Sequence, residues 1–98
     1  MAAYVTDPAY GYSQAFNITA SQNIKVGIGM IAKVIVNAAP TAAAGIYDSA
    51  TVGGAGAANQ ILSIPTTAVV GTIYNLQWGV TNGITLVTTG GIFVVSYS

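Results

Sequence analysis

The sequence predicts an all-β protein: a single antiparallel β-sandwich or jelly roll of seven to eight short strands, preceded by an extended N-terminal arm. Three observations carry this expectation. Apolar residues recur with a period of two, most cleanly in "IYNLQWGV", where Tyr74, Leu76, Trp78 and Val80 alternate with Asn75, Gln77 and Gly79. Gly- and Asn-rich turn signals separate such runs at short intervals. No stretch shows the 3.6-residue spacing of an amphipathic helix, which leaves a sandwich or jelly roll as the natural packing.

Residues 1–16, "MAAYVTDPAYGYSQAF", contain Tyr4, Tyr10, Tyr12 and Phe16 but no regular period, so they read as the arm, with 17–98 as the sandwich domain. Burying four aromatic side chains offsets much of the entropy of ordering such a segment. The arm is therefore the expected contact with a neighbouring subunit or another partner, through Tyr4, Tyr10, Tyr12 and Phe16. Strands are expected at 17–20, 24–27, 30–37, 43–48, 61–64, 73–79, 84–88 and 92–97. In 30–37, Met30, Ala32, Val34 and Val36 share one face and Ile31, Lys33, Ile35 and Asn37 the other, so both faces are largely apolar. "GIFVVSYS" behaves the same way, and an antiparallel sheet with one solvated face does not. Something must cover the second face: another sheet, a loop, or a symmetric partner in a homo-oligomer, expected to be a trimer. Asn82-Gly83 predicts a type I′ hairpin turn, because both central residues of that turn need φ above zero. Gly90-Gly91 predicts a second turn. "NAAPTAAAG" and "SATVGGAGAANQ" read as small-residue loops.

Composition narrows the function. The 98 residues suffice for one domain with a core. Charged residues make up 4% of the chain, namely Asp7, Asp48, Lys25 and Lys33, and residues 49–98 contain none. A soluble domain usually spends about a quarter of its residues on charge. With two lysines and no arginine, nucleic acid is not an expected partner, since phosphate contacts supply most of that affinity. The N-terminus lacks the basic start and apolar run of a secretory signal and reads as a cytoplasmic product. No run of about 18 apolar residues suggests a membrane helix. Cysteine is absent, which excludes disulfides and thiolate chemistry.

Catalytic constellations are equally hard to assemble. There is no histidine, and the two aspartates lie far apart in sequence. Asp7 before Pro8 reads as a turn initiator, Asp48 as a strand-end or turn cap. A serine nucleophile would need Lys25 or Lys33 as its base, and no motif supports that pairing. The carboxylate-rich oxygen set of calcium and the His or Cys set of zinc are both missing, so no metal or other cofactor is expected. "GGAGAANQ" lacks the Lys and spacing of a phosphate loop. Trp78 with Tyr74 and Tyr47 suits an aromatic platform for a sugar, but the face that Tyr74 and Trp78 share with Leu76 and Val80 favours core. Asp titrates below and Lys above the range from about pH 5 to pH 9, so stability should be nearly flat across it.

Three segments recur in a familiar order: "KVIVNAAPTAAAGIYDSAT", then "NQILSIPTTAVVGTIYNLQWGV", then "TNGITLVTTGGIFVVSYS". Together they resemble a family of short tailed-bacteriophage virion structural proteins, over residues 25–97. The resemblance implies a small β-sandwich on the phage particle: a head decoration (cement) protein, a head-fibre base or a tail component. In the first case a non-enzymatic homotrimer would sit on the capsid surface of the virion, assembled in the host cytoplasm, and hold neighbouring major capsid proteins together, with Tyr4, Tyr10, Tyr12 and Phe16 of the arm as the capsid or neighbour-subunit contact. Members of that family carry more Lys, Asp and Arg on their surface strands, where this chain has Gln, Asn, Thr and Ala. Two other classes fit the composition: a glycan-binding β-sandwich module using Trp78 and Tyr47, and an adhesive structural protein whose strands stack into fibres.

Overall fold

The structure is a computed structural model that describes residues 3–7 as backbone and residues 12–98 with their side chains. It is all-β and antiparallel apart from one short turn of 3-10 helix, Ala57–Asn59. The strands are β1 (Ala3–Asp7), β2 (Tyr12–Val26), β3 (Gly29–Ala38), β4 (Ala42–Asp48), β5 (Gln60–Ile64), β6 (Ile73–Val80) and β7 (Gly83–Tyr97). All seven lie in one sheet, in the order β1-β2-β7-β3-β6, with β4 also paired to β7 and β5 to β4. The separate sheets of a sandwich are thus replaced by one sheet that curls around its own core.

The curl comes from two strands that run on where the sequence suggests a reversal. Strands β2 and β7 are each 15 residues long. Within β2 the expected 17–20 and 24–27 strands are continuous, and so are residues 12–16, so the expected boundary of the arm at residue 16 falls inside this strand. Asn17 adopts φ +54° and produces a bulge, after which pairing resumes at Ile18↔Phe93. The polar stretch Ser21-Gln22-Asn23 stays in the sheet because its side chains replace missing ladder bonds. Ser21 Oγ accepts the Thr88 amide at 2.9 Å and donates to the Thr88 carbonyl at 3.2 Å.

Within β7, the expected strands 84–88 and 92–97 join through Gly90-Gly91. The two glycines take φ +69° and +78°, which bends the strand without ending it. Its first half pairs with β4, as in Leu86↔Ile46, and its second half with β3, as in Phe93↔Val36 and Val95↔Val34. The opposite edge of β7 pairs with β2 along its length. One bent strand therefore carries both halves of the molecule.

Between those halves lies the core. Ile18, Ile31, Val34, Val36, Ile46, Ile64, Ile84, Leu86, Phe93 and Val95 are all fully buried. Each large side chain of this kind contributes about 1.5–3 kcal/mol by leaving water. Ile31 joins Val34 and Val36 in the core, contrary to strict alternation, because β3 bulges between Ile31 and Lys33 against β7. The second faces of β3 and β7 are only partly covered: Ile35, Ile92 and Val94 are half-buried.

The Asn82-Gly83 segment does not form the expected type I′ hairpin. Only Gly83 has positive φ, at +154°, and β6 pairs with β3 instead of β7. Asp48 at the end of β4 holds this corner. The amides of Thr81, Asn82 and Gly83 donate to its carboxylate at 3.2, 2.8 and 3.3 Å, and the Thr81 hydroxyl adds a bond at 3.3 Å. A Cβ on Gly83 would collide with the backbone carbonyls of Lys25 and Ser49, so the chain passes there only as glycine. Burial acts to raise the Asp48 carboxyl, but the donors from Asn82, Thr81 and Gly83 outweigh it and hold the group below the ordinary aspartate value.

A second polar clamp joins β2, β7 and the segment after β4. Asn23 Nδ2 donates to Thr85 Oγ1 at 3.0 Å, and Thr85 Oγ1 donates to the Ser49 carbonyl at 2.8 Å. Thr85 is fully buried. Two expectations follow from these clamps. Thr85→Val keeps the shape but leaves Asn23 and Ser49 without this partner, so chemical denaturation should show a loss of about 1–3 kcal/mol. Because the Asp48 pKa is lower folded than unfolded, the unfolded chain binds more protons in the acid range. The Asp48 contribution is thus complete above about pH 4 and lost as pH falls through the folded-state value. Melting followed from pH 6 downward should reveal this acid limb in the wild type, and Asp48→Asn should flatten it.

Candidate functional site: a groove on the outer face of the sheet

The outer face carries two rows of side chains running across the strands. Ser96 on β7 stands opposite Gln14 on one side and Lys33 on the other, and Lys33 stands opposite Asn75. One row over, Val94 stands opposite Ile35, which stands opposite Ile73. Directly opposed residues point to the same side of an antiparallel sheet, so a polar row and an apolar row lie next to each other. They border a groove of about 370 Å³ lined by Tyr12, Gln14, Phe16, Ala32, Lys33, Ile35, Gln77, Val94 and Ser96.

Strand bulges shape this groove. Between the pairs Ile31↔Trp78 and Lys33↔Asn75, Leu76 and Gln77 together oppose Ala32 alone. Gln77 takes up the extra residue at φ +48°, a conformation that costs a non-glycine residue on the order of 1–3 kcal/mol. Asn17, the other non-glycine residue of this kind, follows Phe16 in β2. Both departures from regular strand geometry thus sit beside groove residues.

Of the residues expected as contacts, Tyr12 and Phe16 come together in the groove, carried by β2 and not by a free arm. The backbone of Tyr4 pairs with Ala15 through β1, its side chain lying outside the described residues, as does Tyr10 entirely. Lys33, Ile35, Val94, Ser96, Gln14 and Gln77 complete the site and were not expected there. For Lys33, Ile35, Val94 and Ser96 the signal was the doubly apolar pattern of "GMIAKVIVN" and "GIFVVSYS", which called for a cover without locating it; Gln14 and Gln77 lie outside both segments.

Trp78 is a further correction. The alternation of 73–80 places it in the core, yet it is 56% exposed, while Tyr74 and Leu76 pack against the core and Val80 is buried. Trp78 stands opposite the buried Ile31, but β6 lies at the end of the sheet path with only β3 as its partner, which leaves the side chain at an open edge. Tyr47 is half-buried on β4 and accepts a bond from Gln60 Nε2 at 3.3 Å.

Comparison with protein-family models, curated proteins and solved structures gives no match. The reading of the site therefore rests on its geometry. Among the described residues no three His, Cys, Asp or Glu side chains cluster as metal ligands, and no helix is long and apolar enough to cross a membrane. Asp48 is committed to the 81–83 corner. Large apolar side chains stand in water at other places too: Val26 at the end of β2 and Ile28 in the β2–β3 turn, Val69 and Val70 in the β5–β6 connection, and Ile73 at the start of β6.

The strain at Gln77 has a measurable consequence. Glycine in a regular strand costs about 0.5–1 kcal/mol, whereas Gln77→Gly relieves a left-handed residue and should leave stability unchanged or raise it by up to about 1 kcal/mol in urea unfolding. A loss as large as at an ordinary strand position would mean that Gln77 is not strained.

Proposed function

We propose that this chain is a non-enzymatic virion structural protein of a tailed bacteriophage, acting as a capsid cement (decoration) protein. In this reading it assembles as a homotrimer and bridges neighbouring major capsid proteins on the head; a head-fibre or tail position is the nearest alternative. The observation that carries the reading is the set of exposed apolar side chains, with Ile28 80% and Val69 72% exposed on a domain this small. Water penalises such surface, and permanent assemblies remove it. The resemblance of residues 25–97 to phage virion proteins supplies the setting.

In that role the curled sheet serves as a sandwich or jelly roll would, its two halves taking the place of two sheets around the core. The near absence of charge fits the same setting, since an unpaired charge in a permanent interface is costly. Contacts made by Val26, Ile28, Val69 and Val70 draw on connections at the ends of strands, where change in shape costs the core little. Attachment through the aromatic arm becomes attachment partly through the sheet, because Tyr12 and Phe16 belong to β2. Removing residues 2–16 would therefore damage the fold as well as the contact.

A glycan-binding module is the second reading, favoured by the exposure of Trp78. A sugar that shifts Trp78 fluorescence would support it.

The cement reading is tested by size and by location. Light scattering at micromolar concentration should give a trimer for the wild type, and Ile28→Asp with Val69→Asp should release monomers that remain folded. Gels of purified particles should show the protein in many copies per virion. A wild type that stays monomeric, or particles that lack the protein, would remove this function.

A further inference from the structure

Among the described residues no buried side-chain nitrogen or oxygen lacks a hydrogen-bond partner, and Ser21, Asn23, Asp48, Asn59 and Thr85 are all engaged with other residues. By contrast, the side chains of Gln14, Lys33, Gln77 and Ser96 make no hydrogen bond or ion pair with any described residue, although all line one depression. Its apolar members are Phe16, Ile35 and Val94, half-buried beneath them. An apolar hollow of this volume, within the usual range of about 300–1,000 Å³ and rimmed by a few convergent polar groups, is the ordinary form of a small-molecule site.

Charge decides the class of ligand. Lys33 is the one Lys, Arg, Asp or Glu among the described groove residues. Of the two acidic residues in the chain, Asp48 is held by the 81–83 corner, and Asp7 pairs through its backbone with the groove residue Tyr12, its side chain lying outside the described residues. Lys33 is exposed and lines the groove, and a lysine in such a place can lay its methylene stem on apolar surface while its ammonium stays in water. Opposite it in the polar row stands the Ser96 hydroxyl, and one strand further the Gln14 amide, both able to donate to a second oxygen.

We propose that the groove binds an amphiphile consisting of an elongated apolar body and a single carboxylate. The body lies on Phe16, Ile35 and Val94, and the carboxylate sits at the rim against Lys33 with Ser96 and Gln14 beside it. This goes beyond the virion reading and does not depend on it, since the site is complete within one chain. A cationic head group would meet Lys33 with repulsion, and a neutral one would leave it without a counter-ion.

Three probes of equal chain length separate the contributions: decanoate, decanol and decyltrimethylammonium, each titrated below its micellar concentration and followed by methyl NMR. For the wild type, decanoate should produce saturable shifts at Ile35 and Val94 but not at Ile64, and bind roughly two- to fivefold more tightly than decanol, as one exposed ion pair allows. Decyltrimethylammonium should bind least. Lys33→Met should abolish the preference for decanoate over decanol, and Lys33→Glu should make decyltrimethylammonium the best ligand. Absence of saturable shifts at Ile35 and Val94, or an order of affinities that Lys33→Glu leaves unchanged, would overturn the proposal.

Discussion

The continuity of β7 is the constraint on which the rest of the structure depends. Its 15 residues pair with β2 along one edge and with β4 and then β3 along the other. No other strand touches so much of the molecule. A change of partner along one edge requires a bend, and Gly90-Gly91 supplies it through two successive positive φ angles. A Cβ on Gly91 would approach the Ala38 carbonyl and the Phe93 ring at 2.9 Å, so the bend also lets β3 and the Phe93 side chain pack closely there. Leu86 before the bend and Phe93 after it then face one core from two directions.

That geometry explains how so few charges suffice. Backbone groups within a closed run of antiparallel pairs satisfy one another, and the irregular points are covered by short neutral side chains: Ser21 at one register shift, Asn23 and Thr85 at another, Thr41 where its hydroxyl donates to the Thr89 carbonyl at 2.8 Å beside the bend. These bonds do not depend on protonation near neutral pH. The exception is Asp48, whose charge is directed at three backbone amides and so acts as a structural cap. The described surface offers exposed aliphatic side chains at the strand connections, and a groove lined by Lys33.

Much of the fold is legible in the sequence, and the losses have a common cause. Strands β3, β4, β5 and β6 lie within a residue or so of where period-two patterning puts them, because each is bounded by residues that do leave the sheet. The failures occur at β2 and β7. Ser21-Gln22-Asn23 and Gly90-Gly91 carry turn chemistry, and local propensity cannot tell a turn from a bulge within a longer strand; that depends on whether a third strand is there to receive the continuing edge. Asn82-Gly83 fails in the same way, since the hairpin would need β6 beside the first half of β7, whose two edges are already taken by β4 and β2. Trp78 was misplaced because alternation gives a face but not whether the edge of the sheet is covered: it stands opposite the core residue Ile31, on a strand whose other edge has no described partner. The groove was visible only as an excess of apolar residues on a second face, and Tyr12 and Phe16 were found by their aromatic character although the element carrying them was read as an arm.

Amide hydrogen exchange tests most directly whether β7 is one strand that unites the molecule. If it is, the amides of Leu86 and Val95, on either side of Gly90-Gly91, should open only with global unfolding and share the same, highest exchange free energy. Denaturant should lower both together with the slope of the whole protein. Two distinct exchange energies, one for the half paired with β4 and another for the half paired with β3, would show that the molecule consists of separately opening units and contradict the account.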